Sequence, residues 1–595
     1  MGKRLGRYTE TGTKCMVHVN GKALIEYAMD SLLAAGISDI TLVVGYKADA
    51  LKSFIEKRYT QLSLTYIDNP LFDTTNNIYS LWLARHVLAS DDVILLESDI
   101  IYRPELIADL VRSPEPNLAT VSKFEPWMDG TVTTLDKANA IVSVIEKWEF
   151  SWSDVDRYYK TVNIYKFSPQ FSKSRYLPFM EAYLSAFGRN QYYEQILRIL
   201  VFLENTGLKG FQVSPRSWYE IDDPHDLHVA ETIFSKPEDR LRLMQERYGG
   251  YWRFPELLDF CYLVNPYFPT ERMWKEIGAN LRTVASQYPS GMKIQSILAG
   301  KLFCLAPGQI VVGNGAAELI AGLFRCSSGR VGVVEPTFME YPERVGTDRL
   351  VKFTAGQDNF SYQAEDVIAA WKAGGASWGI LINPDNPSGH YLPRNKVEEF
   401  VERCEAAGIR PIVDESFVDF AERESRFSLL NEQYLGQHPS LVVIRSLSKC
   451  YGVAGLRLGV LATSDENLCR DLKKDVAIWN INSVAELFLQ IFEKYKADYW
   501  NGCDRIVSER VRLTLALREM PGITVFPSQA NYLLIKIEHE GTAKNLAERL
   551  LGDAGILVKD LGGKAGLPDG IFLRIAVKSC EENDRLISGL KSALS

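Results

Sequence analysis

The sequence predicts two consecutive α/β domains, each a sheet layered with helices, and three observations carry that expectation. First, helical and strand-like runs alternate: "KALIEYAMDSLLAAG" has helical apolar spacing, and "ISDITLVVGY" follows as a β-branched run closed by a glycine and an aromatic residue. Alternation of this kind builds a layered sheet. Second, "DDVILLESDI", "GQIVVGNGAAE", "WGILINPDNPSG", "IRPIVDESF" and "LVVIRSLSK" each run from an apolar stretch straight into a polar or glycine-bearing loop. Such loops, at the carboxyl ends of strands, are where open α/β sheets collect ligands. Third, "SKPEDRLRLMQERYGG" is polar, highly charged and closed by a glycine pair, as a connecting helix at a domain joint would be. At 595 residues the chain exceeds what one core holds. The domains are therefore placed at residues 1–236 and 237–595.

Composition narrows the function classes. Apolar residues at 46% and charged ones at 24% are the balance of a globular enzyme. A net charge of -8 argues against a general nucleic-acid surface, so anionic ligands must be gripped locally. The nine cysteines are scattered, with no CxxC pair, which fits reduced thiols and a cytoplasmic setting. Apolar runs such as "DVILL" fall far short of the ~20 residues a membrane span needs.

In the second half, "RSLSKCYGVAGLRLG" places Lys449 in a serine-rich turn after an apolar strand, with Arg457 eight residues on. "GNGAAE" sets Ala316 and Ala317 at a helix start, where free amides and the helix dipole accept a phosphate. Asp414 closes the strand in "PIVDE", placed to keep a ring nitrogen protonated, and Asn386 in "NPDNPSG" can aim an amide at a ring oxygen.

These motifs, in this order, resemble the fold-type I, class I/II aminotransferases that use pyridoxal phosphate, above all the branch with histidinol-phosphate aminotransferase and threonine-phosphate decarboxylase. The likeness runs from about 250 to the end. It implies that Lys449 is the catalytic lysine that bonds the cofactor, with Ser446, Ser448 and Arg457 joining Ala316 and Ala317 around its phosphate. Asp414 is implied at the ring nitrogen and Asn386 at the ring hydroxyl. Phe338 in "PTFMEY" matches the ring-stacking position, with Tyr341 the other candidate. Tyr288 in "QYPSG" resembles a tyrosine that reaches a neighbouring subunit's phosphate, which implies a homodimer. Arg574 in "IFLRIAV" matches the arginine that clamps a substrate carboxylate. One departure stands out: the family's tyrosine three residues after the aspartate is Phe417 here, so pure transamination is not assured.

The opening "GKRLGRYTETGTKCMVHVNGKALIEY" resembles nucleotidyltransferases of the sugar-nucleotide and phosphocholine type, whose domain is Rossmann-like (GT-A-like). In that family an apolar strand precedes the glycine loop, and here Met1 sits where it should be, so the expectation is a true start upstream. The resemblance implies Arg4 and Lys14 as cationic clamps on a triphosphate, and Asp99 in "LLESDI" with Asp222 in "WYEIDDPHDL" as the pair holding Mg²⁺. Glu220 is a possible helper. "FDTTNNIYSLWLA" resembles the stretch of phosphocholine cytidylyltransferases in which Asn76 and Asn77 could orient phosphate or amine. Trp82, Trp127, Tyr158 and Tyr159 offer faces for an alkylammonium; Glu125, Asp129 and Glu194 are candidate partners for a primary amine, with no choice among them from sequence.

A fusion of the two resembles the joined cytidylyltransferase and transaminase proteins of phosphonate pathways. It implies transamination of phosphonoacetaldehyde by an amino-acid donor to 2-aminoethylphosphonate, and CTP-dependent activation to CMP-2-aminoethylphosphonate with release of pyrophosphate. The alternative is phosphocholine or phosphoethanolamine activation fused to a histidinol-phosphate-type aminotransferase or threonine-phosphate-type decarboxylase.

Overall fold

The computed structural model describes residues 3–10, 12–203, 207–356 and 359–595. The chain divides into two compact units, the first ending at Arg253 and the second spanning Phe254–Ser595. The charged helix Pro237–Glu246 therefore belongs to the first unit, where the sequence had placed it in the second domain. Its few apolar residues explain this: Leu241 and Met244 are buried, and Arg240 donates to the carbonyls of Ile233 and Ser235. The helix packs back onto the helix before it.

In the first unit the long strand Tyr159–Phe167 organises a six-stranded sheet. It pairs antiparallel with Leu118–Lys123, Val132–Leu135 and Val93–Leu96, while Lys209–Val213 lies parallel to Leu118–Lys123. Asp39–Val44 and Ser63–Asp68 form a separate parallel pair. A third, short sheet matters most for function: Ile100–Tyr102 pairs antiparallel with Trp218–Glu220, with Ile100 opposite Glu220. Ile100, Ile101, Tyr102, Trp218 and Tyr219 are all buried, and that burial fixes the register.

The second unit is built on a seven-stranded sheet in the order Ile310–Asn314, Leu458–Ala462, Val442–Ser446, Arg410–Asp414, Ala376–Ile382, Arg330–Glu335, Leu350–Thr354. All neighbours are parallel except those of Leu458–Ala462, which runs antiparallel to both. The strands are apolar almost throughout because helices cover both faces. An antiparallel sheet of Ile523–Val525, Tyr532–Ile537, Ile571–Ala576 and Lys559–Asp560 completes the unit. Among the described residues, no helix is long and apolar enough to cross a membrane.

Candidate active sites

In the first unit the pairing of Ile100 with Glu220 carries the chain ends beyond it into contact. The amide of Ile221 donates to the carbonyl of Asp99 at 2.9 Å, so Asp99 and Asp222, far apart in sequence, leave the same short ladder side by side. Lys14 Nζ bridges them, 2.7 Å from Asp99 Oδ2 and 2.7 Å from Asp222 Oδ1. Arg4 reaches the other Asp222 oxygen at 2.9 Å. Asp222 is held from behind by a helix cap: Asp223 accepts the amides of His225 and Asp226, and Asp226 accepts those of Asp222 and Asp223.

Burial works to raise the Asp222 carboxyl, but Lys14 and Arg4 outweigh it and hold it below the usual carboxylate range. Burial likewise works against the Lys14 charge, and Asp99 and Asp222 overrule it, raising the ammonium. The donor set suits a hard divalent cation. Two carboxylates converge on one point, and Asp99 Oδ1 is buried with no hydrogen-bond partner among the described residues. Asp99 and Asp222 would therefore hold Mg²⁺, and Lys14 with Arg4 would face the phosphates.

Deeper in this unit lies a group that sequence reasoning reached only in part. Glu97 precedes Asp99 by two residues and accepts from Asn77 Nδ2 at 3.0 Å, while Asn77 Oδ1 accepts the amide of Tyr193 at 3.0 Å. Burial, together with the charges of Asp99 and Glu194, pushes the Glu97 carboxyl up to about 8. Lys160, almost fully buried, lies 3.4 Å from Glu220. Glu97 and Lys160 were missed because a carboxylate beside a strand end and a lysine within a strand look ordinary without their neighbours. Asn76 serves as the cap of the helix Asn77–Leu83.

The candidate aromatic faces are already engaged. Trp127 stacks on Tyr219 with centroids 4.7 Å apart, Tyr158 packs on Phe150 at 5.0 Å, and Tyr159 and Trp82 carry Lys123 and Arg85 over their rings.

In the second unit the parallel strands deliver Glu335, Ile382, Asp414 and Ser446 to one edge of the sheet. Asp414 is buried and fully partnered: Oδ1 accepts the amide of Ser416 at 2.9 Å, and Oδ2 accepts the Tyr341 hydroxyl at 2.8 Å. Tyr341 is thus committed to Asp414. Lys449 follows Ser446 on the short helix Leu447–Cys450, its Nζ 5.1 Å from the Phe338 ring centre and 4.4 Å from that of Phe417. Burial lowers this amine to about 8, with Arg574 and Arg457 acting in the same direction and Asp414 opposing. A lysine so placed carries a useful neutral fraction near neutral pH.

Arg574 Nη1 donates to Asn386 Oδ1 at 2.7 Å and Nη2 to the carbonyl of Cys261 at 2.8 Å. Its Nε is buried without a partner among the described residues. The Ser446 amide donates to Ser416 Oγ at 2.9 Å, and Ser448 Oγ donates to the Leu458 carbonyl and accepts its amide. Arg457 lies over Gly315, the residue before the helix Ala316–Cys326. A Cβ at Gly315, whose φ is +77°, would stand 2.6 Å from Arg457 Nη2, and one at Gly459 would stand 2.3 Å from the Ala316 amide. The two glycines let the Arg457 guanidinium and the strand Leu458–Ala462 close onto a helix start, where free amides and positive charge suit a phosphate. Tyr288 is exposed and stacks on Trp479 at 4.2 Å.

Residues 297–590 match the model of the family described as aminotransferase class I and II, and residues 1–148 match that of the MobA-like NTP transferase domain. An L-serine phosphate decarboxylase of Sulfurospirillum multivorans is 32% identical over 357 residues, 57% of this chain and 90% of that protein. The chain belongs to the class I and II aminotransferase family. The solved structure of a decarboxylase from Sulfurospirillum multivorans is similar to 58% of this chain and 91% of its own, with 30% identity and a TM-score of 0.54. Over its whole length the chain is similar to a CMP-5'-(3-aminopropyl)phosphonate synthase of Streptomyces rubellomurinus, 29% identical across 99% of this chain and 93% of that protein. It is thus an enzyme with a nucleotidyltransferase domain followed by a fold-type I domain of the aminotransferase family. Membership of that family implies pyridoxal phosphate, and the helix start at Gly315 beside Arg457, together with Asp414, Asn386 and Lys449, fits that group.

Proposed function

We propose that the second unit makes a small amine bearing a phosphonate or phosphate group and that the first joins the amine to CMP, releasing pyrophosphate from CTP. The observation that carries this is the convergence of Lys14, Arg4, Asp99 and Asp222 in a chain that elsewhere sets Lys449 between Asp414, Phe338 and Phe417. Similarity along the whole chain to a synthase of a CMP-aminoalkylphosphonate supports it. The simplest substrate is 2-aminoethylphosphonate, giving CMP-2-aminoethylphosphonate.

A phosphonate oxygen is already anionic near neutral pH, so the first unit needs no general base; it must position and neutralise. Lys14 and Arg4 draw in the triphosphate, while Asp99 and Asp222 hold Mg²⁺, which when bound would offset the charge gathering between the reactants. In the second unit, pyridoxal phosphate would supply an electron sink. Asp414 would keep its ring nitrogen protonated, aided by the Tyr341 hydroxyl. Asn386 would face the ring oxygen, and Phe338 would pack on the ring. The amides of Ala316 and Ala317 with Arg457 would hold its phosphate, joined by Ser446 and Ser448. Lys449 would move a proton at the substrate's Cα, removing it from the donor in amine transfer or supplying it there after loss of CO₂, and Arg574 would grip a carboxylate or phosphonate.

Two routes to the amine fit these parts. One is transamination of phosphonoacetaldehyde by an amino-acid donor. The other is decarboxylation of a phosphono- or phospho-amino acid, and one residue favours it: Phe417 stands 4.4 Å from Lys449 Nζ where a tyrosine hydroxyl would otherwise meet the ring oxygen. Similarity to L-serine phosphate decarboxylase points the same way. We expect a homodimer, with Tyr288 completing the neighbouring phosphate site.

The test is a single set of reactions. Full-length protein with pyridoxal phosphate, CTP and Mg²⁺ receives 2-aminoethylphosphonate, phosphoethanolamine or phosphocholine, and pyrophosphate is recorded. In parallel it receives phosphonoacetaldehyde with amino donors, or L-serine phosphate, and transferred amine or CO₂ is recorded. Absence of pyrophosphate with every acceptor would defeat the proposal for the first unit; absence of both amine transfer and CO₂ would defeat it for the second.

A further inference from the structure

Behind the Lys14 cluster the first unit buries more carboxyl groups than cations. Glu97, Glu194 and Glu220 act on one another electrostatically, and one buried ammonium, that of Lys160, acts on Glu194, sits against Glu220 and donates to the carbonyl of Thr161. Asn77 ties the other two carboxylates together, holding Glu97 through its amide nitrogen and the backbone at Tyr193, next to Glu194, through its oxygen. Glu194 is only 8% exposed, yet its Oε2 has no hydrogen-bond partner among the described residues. A buried carboxylate oxygen left this way costs free energy unless a ligand meets it. Its surroundings agree: burial raises the Glu194 carboxyl, and hydrogen bonding from its own backbone amide and from Asn77, with the charge of Lys160, offsets this only in part, none of it reaching Oε2 as a hydrogen bond.

We propose that Glu194, with Glu97 beside it, is the site for the ammonium group of the substrate, and that the site selects primary amines. This rests on the reading of the first unit as an enzyme that activates a phosphonate or phosphate amine. A primary ammonium carries three donors and one charge, which matches an unpartnered carboxylate oxygen beside a second carboxylate. A quaternary ammonium has no donor to give and depends on open aromatic faces. Here Trp127 is stacked on Tyr219, and Tyr158 is packed on Phe150. Asp129, another candidate for this role, is exposed and takes the amide of Gly130. Glu97 leaves its strand two residues before Asp99, so the ammonium end lies next to the end at which the phosphonate meets the metal ligands.

Calorimetric titration of the full-length protein with 2-aminoethylphosphonate and with ethylphosphonate tests this, since the two differ only in the ammonium group. Wild type should bind the amine about 100-fold more tightly, and Glu194→Gln should bring the two within about threefold, the scale expected when one partner of a buried charge pair is lost. Glu97→Gln should narrow the gap as well, and it carries the comparison if Glu194→Gln fails to fold. Equal binding of both phosphonates by wild type, or a gap unchanged in the variants, overturns the assignment. Pyrophosphate release from CTP, read on the same samples, separates the two levels. Selectivity that depends on Glu194 without pyrophosphate release keeps the ammonium site and defeats the nucleotidyl-transfer reading. Release of pyrophosphate with equal use of both phosphonates does the reverse.

Discussion

Two residues show how environment sets chemistry. Lys449 is an ordinary lysine by sequence, yet burial brings its amine down to about 8. A lowered pKa in a base means that the neutral form appears as pH rises. About one amine in eleven is neutral at pH 7 and about one half at pH 8, so the rate at which cofactor-free protein takes up pyridoxal phosphate should rise about fivefold across that interval, gain about another twofold by pH 9 and flatten beyond it. A rate flat across the same interval would contradict the lowered value. Asp222 illustrates the opposite sign: its depressed carboxyl contributes stability that is present above the unfolded value near 4 and is lost as pH falls through the folded one. Asp222→Asn should remove one Mg²⁺ ligand and reduce pyrophosphate release by about 10³ or more, an effect on the scale of losing a key electrostatic group.

Short elements do the positioning. The ladder of Ile100–Tyr102 with Trp218–Glu220 is only three residues long on each side, yet it brings Asp99 to Asp222. The capping box at Asp223 and Asp226 then fixes where the second strand ends. Asp226→Ala should cost ~1 kcal/mol of stability, as lost caps do, and should also raise the Mg²⁺ concentration needed for half-maximal pyrophosphate release. In the second unit the same logic sits at a glycine. Gly315→Ala places a Cβ 2.6 Å from Arg457 Nη2 at φ +77° and ψ 162°, a conformation costing a non-glycine residue ~1–3 kcal/mol. The variant should lose pyridoxal phosphate on dialysis at least about tenfold faster than wild type, measured by the cofactor's absorbance.

At the scale of the whole molecule, two units with separate cores and separate clusters of candidate catalytic residues should fail independently. Lys449→Ala should abolish amine formation and leave pyrophosphate release from supplied 2-aminoethylphosphonate intact, whereas Asp222→Asn should do the opposite. Mixing the two variants should then restore the CMP-linked product from the amine's precursor, because the amine can diffuse between molecules. Failure of the mixture, with each variant active in its remaining half-reaction, would show that the product cannot leave the chain that makes it.

The sequence by itself determined the α/β class and the two-domain plan, and it marked candidate residues through local motifs: the lysine after a strand, the aspartate that ends one, the small residues opening a helix. These are readable because strand, loop and helix start are encoded within a few neighbouring residues. The domain joint was misplaced by one helix because Leu241 and Met244, two apolar residues on a charged helix, reveal their packing only when the surface they cover exists. Tertiary structure alone decided the pairings. It gave Tyr341 to Asp414 and left Phe338 beside Lys449, set Arg574 against Asn386, and gathered Glu97, Glu194, Glu220 and Lys160 from four separate stretches of chain. Charge in a protein interior acts through space, and residues distant in sequence become one electrostatic group only when the backbone closes around them.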